Sequence, residues 1–119
     1  MKFIIRTLLL TFSLFSFILS GTTGKLTGKI IDENTGEPLI GCNIILDGTY
    51  LGGSSDNQGE YTILNISPDT YIIRFEMIGY KKVINEDVKI FADKTTTLNG
   101  IMNESVIEGE EVIVVAQRK

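Results

Sequence analysis

The sequence predicts an all-β sandwich, and three observations support that prediction. Short segments rich in Ile, Val, Thr and Tyr alternate apolar and polar residues. Clusters of Gly, Asn, Asp and Pro separate these segments at intervals of roughly 8 to 12 residues, the spacing expected of an antiparallel sandwich. After the N-terminal segment, no stretch shows a convincing helical period. About 95 residues follow that segment, enough to bury one hydrophobic core and too few for two.

The N-terminal segment, residues 1–23, has the pattern of a secretory signal peptide. Lys2 and Arg6 give a basic start, residues 7–19 form an apolar stretch, and small residues suited to cleavage follow. A membrane-spanning helix needs about 20 apolar residues, so an uncleaved anchor fits less well. The segment predicts an exported chain.

Alternation predicts which side chains of the domain at 24–102 face the core. The pattern is clearest at 71–77, where Ile73 and Phe75 fall on one face while Arg74 and Glu76 fall on the other. This strand is expected to cross the centre of the core. The predicted inward positions are Leu26, Gly28, Ile30, Cys42, Ile44, Leu46, Tyr61, Ile63, Tyr71, Ile73, Phe75, Met77, Val88, Ile90, Leu98, Gly100 and Met102.

Turn-forming residues predict the connections between these strands. Gly, Asn and Asp supply positive φ angles or side-chain hydrogen bonds to nearby backbone, and Pro fixes a turn angle. The predicted turns lie at 32–38, 47–49, 56–59, 65–69, 79–80 and 93–94.

Composition argues against several classes of function. The chain has no histidine, which removes the usual general base and the commonest metal ligand. Asp56 and Glu60 form a possible carboxylate pair, and with Gln58 they suggest a calcium loop, but a turn supported by the Asp56 side chain is the preferred interpretation. We therefore predict no catalytic residue, no metal site and no cofactor.

Net charge and cysteine content argue against nucleic-acid binding, an intrachain disulfide and a lipid anchor. The net charge is −4 at pH 7 and becomes more negative without the leader, so nucleic acid is not an expected partner. Cys42 is the only cysteine, which excludes an intrachain disulfide. Residues 39–42 resemble a lipoprotein cleavage box, but a strand and a turn separate them from the apolar leader, so Cys42 is expected to be a small buried hydrophobe.

Turn residues and strand residues follow one another in a fixed order across the domain. They are Gly28, Asp32, Gly36, Glu37, Pro38, Leu39, Ile40, Gly41, Cys42, Asn43, Ile44, Gly48, Thr49, Asp56, Asn57, Gln58, Gly59, Glu60, Tyr61, Tyr71, Ile78, Gly79 and Tyr80. In this order and spacing the domain resembles the carboxypeptidase regulatory-like domain family. That resemblance implies a seven-stranded antiparallel β-sandwich, prealbumin-like or Ig-like. It also implies a non-catalytic role, because this domain commonly stands at the N-terminus of TonB-dependent outer-membrane receptors, ahead of a plug and a barrel.

The C-terminal segment, 103–119, is interpreted as an acidic linker and a partner-binding strand. An acidic pair precedes four β-branched residues, which favour an extended backbone that another sheet edge can capture. The residues Glu111, Val112, Ile113, Val114, Val115 and Ala116 resemble the TonB box, through which such receptors recruit TonB in the periplasm. We expect this strand to be extended, mobile and without a partner in its own sandwich. An ordinary last strand of the domain is the alternative.

A second function remains open. Tyr50, beside two glycines, and Tyr80, after Gly79, are candidates for a rim that stacks on a sugar ring, although both residue types more often anchor turns. The chain is thus predicted to be the periplasmic front of an outer-membrane nutrient receptor, with a free-standing envelope or secreted module that binds glycan or protein as the alternative.

Overall fold

The computed structural model describes residues 22–115, and the predicted leader and Ala116 lie wholly or mostly outside that range. Nine strands and no helix are found in it, so no described segment is a helix able to cross a membrane. The strands are β1 (Gly24–Asp32), β2 (Asn43–Leu46), β3 (Gly52–Ser54), β4 (Glu60–Ile66), β5 (Asp69–Glu76), β6 (Lys82–Ile90), β7 (Thr95–Thr97), β8 (Gly100–Met102) and β9 (Glu111–Val115).

Two sheets form the predicted sandwich. One contains β4, β1 and β7, with β8 pairing farther along β1, and the other has the order β3-β2-β5-β6-β9. Sequential strands β5 and β6 pair antiparallel, but β7 and β8 pair parallel with β1, and β9 pairs parallel with β6. The all-β sandwich is confirmed, while the sheets are mixed instead of purely antiparallel and contain nine strands instead of seven.

The core lies where alternation places it. Of the predicted inward positions, only Tyr71, Met77 and Leu98 are partly exposed, and all three pack against the buried cluster. Phe75 is fully buried on β5 and meets Tyr61 of the opposite sheet in an edge-to-face contact, with ring centroids 6.0 Å apart. This contact joins the two sheets at the centre of the molecule.

β1 pairs with β7 along its first half and with β8 along its second half. Leu98 and Asn99, which connect β7 to β8, also bond to β1. The Leu98 N–H donates to the Thr27 carbonyl (2.8 Å), and the Asn99 side chain accepts from the Lys29 N–H (2.9 Å). A Cβ at Gly28 would stand 1.9 Å from the Leu98 carbonyl oxygen, so only glycine permits this approach.

The connections follow the predicted turn chemistry. Asp32 Oδ1 accepts from the backbone of Asn34 and Thr35, and Asp56 Oδ1 accepts from Gln58 and Glu60. Asn65 and Asp93, both at predicted turns, adopt positive φ. The preferred interpretation of Asp56 as a turn residue is confirmed.

Cys42 is fully buried, and its sulfur lies 3.5 Å from that of Met102. Burial raises the pKa of the thiol to about 11. Its backbone N–H donates to the buried hydroxyl of Ser55 (2.9 Å). The side chain therefore behaves as the small buried hydrophobe that the sequence predicted.

Candidate functional site

The candidate site is the outer edge of β9. The Glu110 carbonyl accepts from the Lys82 N–H (2.8 Å), which fixes the register of the parallel pair at its start. The backbone N–H and C=O groups of successive residues in a strand point to opposite sides. Because the Glu110 carbonyl points toward β6, the backbone groups of Val112 and Val114 also bond to β6. The N–H and C=O groups of Glu111, Ile113 and Val115 consequently point away from the sheet, along an edge that no strand within residues 22–115 covers.

Side chains on this strand remain largely in solvent. All five are exposed, from 36% for Val112 to 61% for Ile113 among the apolar ones. Paired residues of adjacent strands share a face, so Ile113 lies beside Ile84 on the outer face of the sheet, and Val112 lies beside Val83 on the inner face. The strand therefore offers apolar surface on both faces as well as a free edge.

A polar clamp holds the beginning of β9. The Glu110 carboxylate accepts from the Ser105 hydroxyl (2.6 Å) and pairs with the Lys81 ammonium (3.4 Å). The hydrogen bond from Ser105, aided by Lys81, lowers the pKa of Glu110 below its usual range. The loop before β9 is also tied to the β5–β6 turn, because the Ser105 N–H donates to the Gly79 carbonyl (2.9 Å).

This arrangement corrects one expectation. The C-terminal strand was expected to lack a partner in its own fold, yet Glu111–Val115 pairs with β6. The reason is tertiary: β6 has one edge covered by β5 and a second edge to which β9 can bond. The pairing satisfies only one edge of β9 and buries little of its side chains. The assignment of Glu111 to Ala116 as a TonB box stays a prediction.

A groove of about 510 Å³ begins where β9 begins. It lies between the β5–β6 turn and the loop from β8 to β9. Lys82, the ladder partner of Glu111, belongs to its wall. The lining residues are Asn43, Glu76, Met77, Ile78, Gly79, Tyr80, Lys82, Ser105, Val106, Ile107, Glu108 and Gly109.

The two tyrosines predicted as a sugar rim are not brought together. Tyr50 is fully exposed in the turn after β2, whereas Tyr80 precedes β6, at the opposite end of the paired strands β2 and β5. The Tyr80 hydroxyl donates to Asp32 Oδ2 (2.6 Å), and this bond raises the pKa of Tyr80 to about 12. Tyr80 thus serves as a turn anchor.

The structure reveals contacts that the sequence did not indicate. Asn85 is buried, and its amide donates to the Ile73 carbonyl (3.0 Å) where the β5–β6 register shifts. The ion pair of the Glu110 clamp joins it to Lys81, a residue far away in the chain, so no local sequence pattern could indicate it. Between residues 22 and 115, no group of three or more Asp, Glu or Cys residues is placed to hold a metal ion.

The chain is similar to two TonB-dependent receptors that have curated descriptions. The chain is 28% identical over 91 residues to TonB-dependent receptor P3 of Formosa agariphila, and 28% identical over 86 residues to the TonB-dependent receptor SusC of Bacteroides thetaiotaomicron. These matches include 76% and 72% of this chain, but the chain spans only 8% of each receptor's length.

Solved structures share the fold at low identity. One is a type II cohesin–X-dockerin complex of Acetivibrio cellulolyticus (20% identity, TM-score 0.61, 77% of this chain and 65% of that one). Another is GBS52, the minor pilin of Streptococcus agalactiae (18% identity, TM-score 0.54, 72% and 46%). These similarities show the sandwich fold alone.

The family match is more specific than these structural similarities. The model of the CarboxypepD_reg-like domain matches residues 26–114, from the first strand into β9. The order of turns and strands that suggested this family from the sequence is the order found in the structure. The chain belongs to the CarboxypepD_reg-like domain family.

Proposed function

We propose that this chain is the non-catalytic, N-terminal periplasmic domain of a TonB-dependent outer-membrane receptor for nutrient uptake, and that β9 recruits TonB by strand addition. Two receptors of this class match the domain, which supports the placement. The observation that carries the recruitment step is the outer edge of β9, where the backbone groups of Glu111, Ile113 and Val115 have no partner strand among the described residues. The plug and barrel of the receptor are the other expected partners.

Strand addition suits the physical chemistry of this edge. Natural proteins protect long apolar edge strands with charges, prolines or bulges, because such edges pair with other chains. β9 has none of these devices over Val112 to Val115, since four β-branched residues follow one another there. An added strand would bond to the free backbone groups and cover apolar side chains on both faces.

Other edges of the described sandwich are less suited to pairing. The edge strands β3, β7 and β8 have only three residues each, and two of those in β3 are glycines. β4 exposes Glu60 and Thr62 and is interrupted near its end by Asn65, which adopts positive φ. We therefore assign the TonB contact to β9 and, outside the described residues, to Ala116.

Amide exchange tests the assignment residue by residue. We would measure exchange of the purified chain by NMR with and without the C-terminal domain of TonB from the same organism. Binding should protect the amides of Glu111, Ile113 and Val115 strongly. The amides of Val112 and Val114, already bonded to β6, should change less.

A proline substitution tests the backbone role. Ile113→Pro removes a donor from the open edge and should abolish TonB binding, whereas Ile113→Thr keeps the N–H and a β-branched side chain and should bind. Both variants should retain the melting behaviour of the sandwich. Undiminished TonB binding by Ile113→Pro would contradict the proposal, and binding of oligosaccharides without any binding of TonB would favour the free-standing glycan-binding module.

A further inference from the structure

The groove at the start of β9 is continuous with the proposed docking edge. Glu108 and Gly109 line it and directly precede the clamp residue Glu110. Lys82 lines it and pairs with Glu111, the first residue of β9. An extended chain advances about 3.3 Å per residue, so a strand added to β9 reaches the groove if it continues two or three residues beyond Glu111.

Aliphatic side chains at the groove are unusually exposed. Ile78 is 100% exposed at the tip of the β5–β6 turn, and Val106 is 103% exposed in the facing loop. Ile107, beside Val106, is 65% exposed. A single exposed aliphatic residue needs no explanation, but three on two facing loops form an apolar patch that a partner can cover.

The charge around this patch is acidic. Lys81 is paired with Glu110, and Lys82 is paired with Glu76. Three other carboxylates near the groove and the start of β9, those of Glu104, Glu108 and Glu111, take part in no ion pair among the described residues. The two lysines are thus compensated, and the remaining local charge is negative.

We propose that the groove binds the continuation of the strand that adds to β9, and that this continuation carries an aliphatic side chain next to one or more Lys or Arg residues. The inference rests on the proposed function. The exposed aliphatic side chains of Ile78, Val106 and Ile107 favour a partner with an aliphatic side chain. The carboxylates that take part in no ion pair favour a Lys or Arg beside it. The backbone pairing along β9 supplies the main affinity, and the groove determines which strand is accepted.

Groove variants test this proposal without disturbing the fold. The double variant Ile78→Ser/Val106→Ser changes two fully exposed side chains, and the matched control is Ile101→Ser, an exposed isoleucine (57%) on β8 of the other sheet. By calorimetry, we expect the double variant to bind the TonB C-terminal domain roughly tenfold more weakly, the effect typical of removing a central apolar contact. The control should bind as the wild type does.

Charge reversal tests the basic neighbour. Glu108→Lys should weaken binding at low ionic strength by about three- to tenfold and should reduce the salt dependence of the affinity. The matched control is Glu33→Lys, an exposed residue in the turn after β1 that does not line the groove. A wild-type affinity and salt dependence in Glu108→Lys would overturn the electrostatic part of the proposal.

The outcomes separate the two proposals. If the wild-type chain binds no TonB, both proposals fail. If it binds, Ile113→Pro abolishes binding and the double groove variant binds normally, the proposed function stands and the groove proposal is overturned. If sedimentation shows a dimer of the chain that the double groove variant abolishes, the groove is occupied by a second copy, and the groove proposal is again overturned.

Discussion

The two edges of β6 differ in how they hold their neighbours. On one edge, β5 pairs antiparallel along nearly its whole length and contributes Ile73 and Phe75, both fully buried. On the other edge, β9 pairs parallel through five residues, all of which keep their side chains exposed. One strand thus has a neighbour fixed by the core and a neighbour held by backbone hydrogen bonds and a clamp.

The physical reason for the difference is burial. Removing apolar area from water contributes about 25 cal/mol per Å², so a fully buried Phe or Ile of β5 stabilises the folded state by about 1.5–3 kcal/mol. A net backbone hydrogen bond contributes only about 0.5–1.5 kcal/mol. The β6–β9 pair depends mainly on the smaller contribution. Pairing within a sheet therefore does not by itself hold a strand in place, and burial of its side chains is also needed.

The largest effect on stability is expected in β5, the neighbour of β6 whose side chains are buried in the core. Phe75→Ala removes a fully buried ring and its contact with Tyr61, and should lower the free energy of unfolding by about 3–5 kcal/mol. Val114→Ala, on the exposed neighbour, should change it by less than about 0.5 kcal/mol. Urea denaturation measures both values. Similar losses in the two variants would remove the distinction between the two edges.

The next largest effect on stability is expected at a polar contact between β5 and β6. Asn85→Leu keeps the approximate volume but removes the donor to the buried Ile73 carbonyl, and should cost about 1–3 kcal/mol. Lys89→Leu, at an exposed position of the same strand, is the matched control and should change stability by less than about 0.5 kcal/mol. A neutral Asn85→Leu would mean that the β5–β6 register does not depend on this bond.

A pH dependence is expected where the β5–β6 turn is anchored. The hydrogen bond from Tyr80 lowers the folded-state pKa of Asp32 below its value in the unfolded chain. The contribution of Asp32 is therefore present above the unfolded pKa, near 4, and is lost as pH falls through the folded pKa.

Urea denaturation at pH 7 and pH 3 measures this loss. Asp32→Asn should be less stable than the wild type at pH 7, and the gap should narrow at pH 3. Tyr80→Phe should show a weaker pH dependence than the wild type, because the main cause of the lowered pKa is absent. A constant gap between wild type and Asp32→Asn across this range would refute the linkage.

The smallest effect on stability is expected at the Glu110 clamp, which holds the beginning of β9. Glu110→Gln removes the ion pair with Lys81, and surface ion pairs contribute about 0.2–1 kcal/mol. Exchange of the Val112 and Val114 amides should accelerate by about two- to fivefold, while the Ile73 amide should be unchanged. If amide exchange accelerates equally in β9 and in the core, β9 opens only by global unfolding.

The sequence by itself determined the core, the turns and the family. Period-two alternation identified Ile73 and Phe75 as inward, because a strand places alternate side chains on opposite faces wherever it lies in a sheet. Asp32 and Asp56 marked turns because their side chains bond to backbone only a few residues away. Both signals are local, so they can be read without knowing the tertiary structure.

Only the tertiary structure decided the partner of β9. The choice of β6 depends on an edge that exists once both sheets have assembled, and the parallel register depends on the contact of Glu110 with Lys81 and Lys82. The groove likewise needs two loops that the chain brings together from distant positions. Local sequence fixes which residues form a strand, whereas long-range packing fixes which neighbour the strand has and which edge it leaves open.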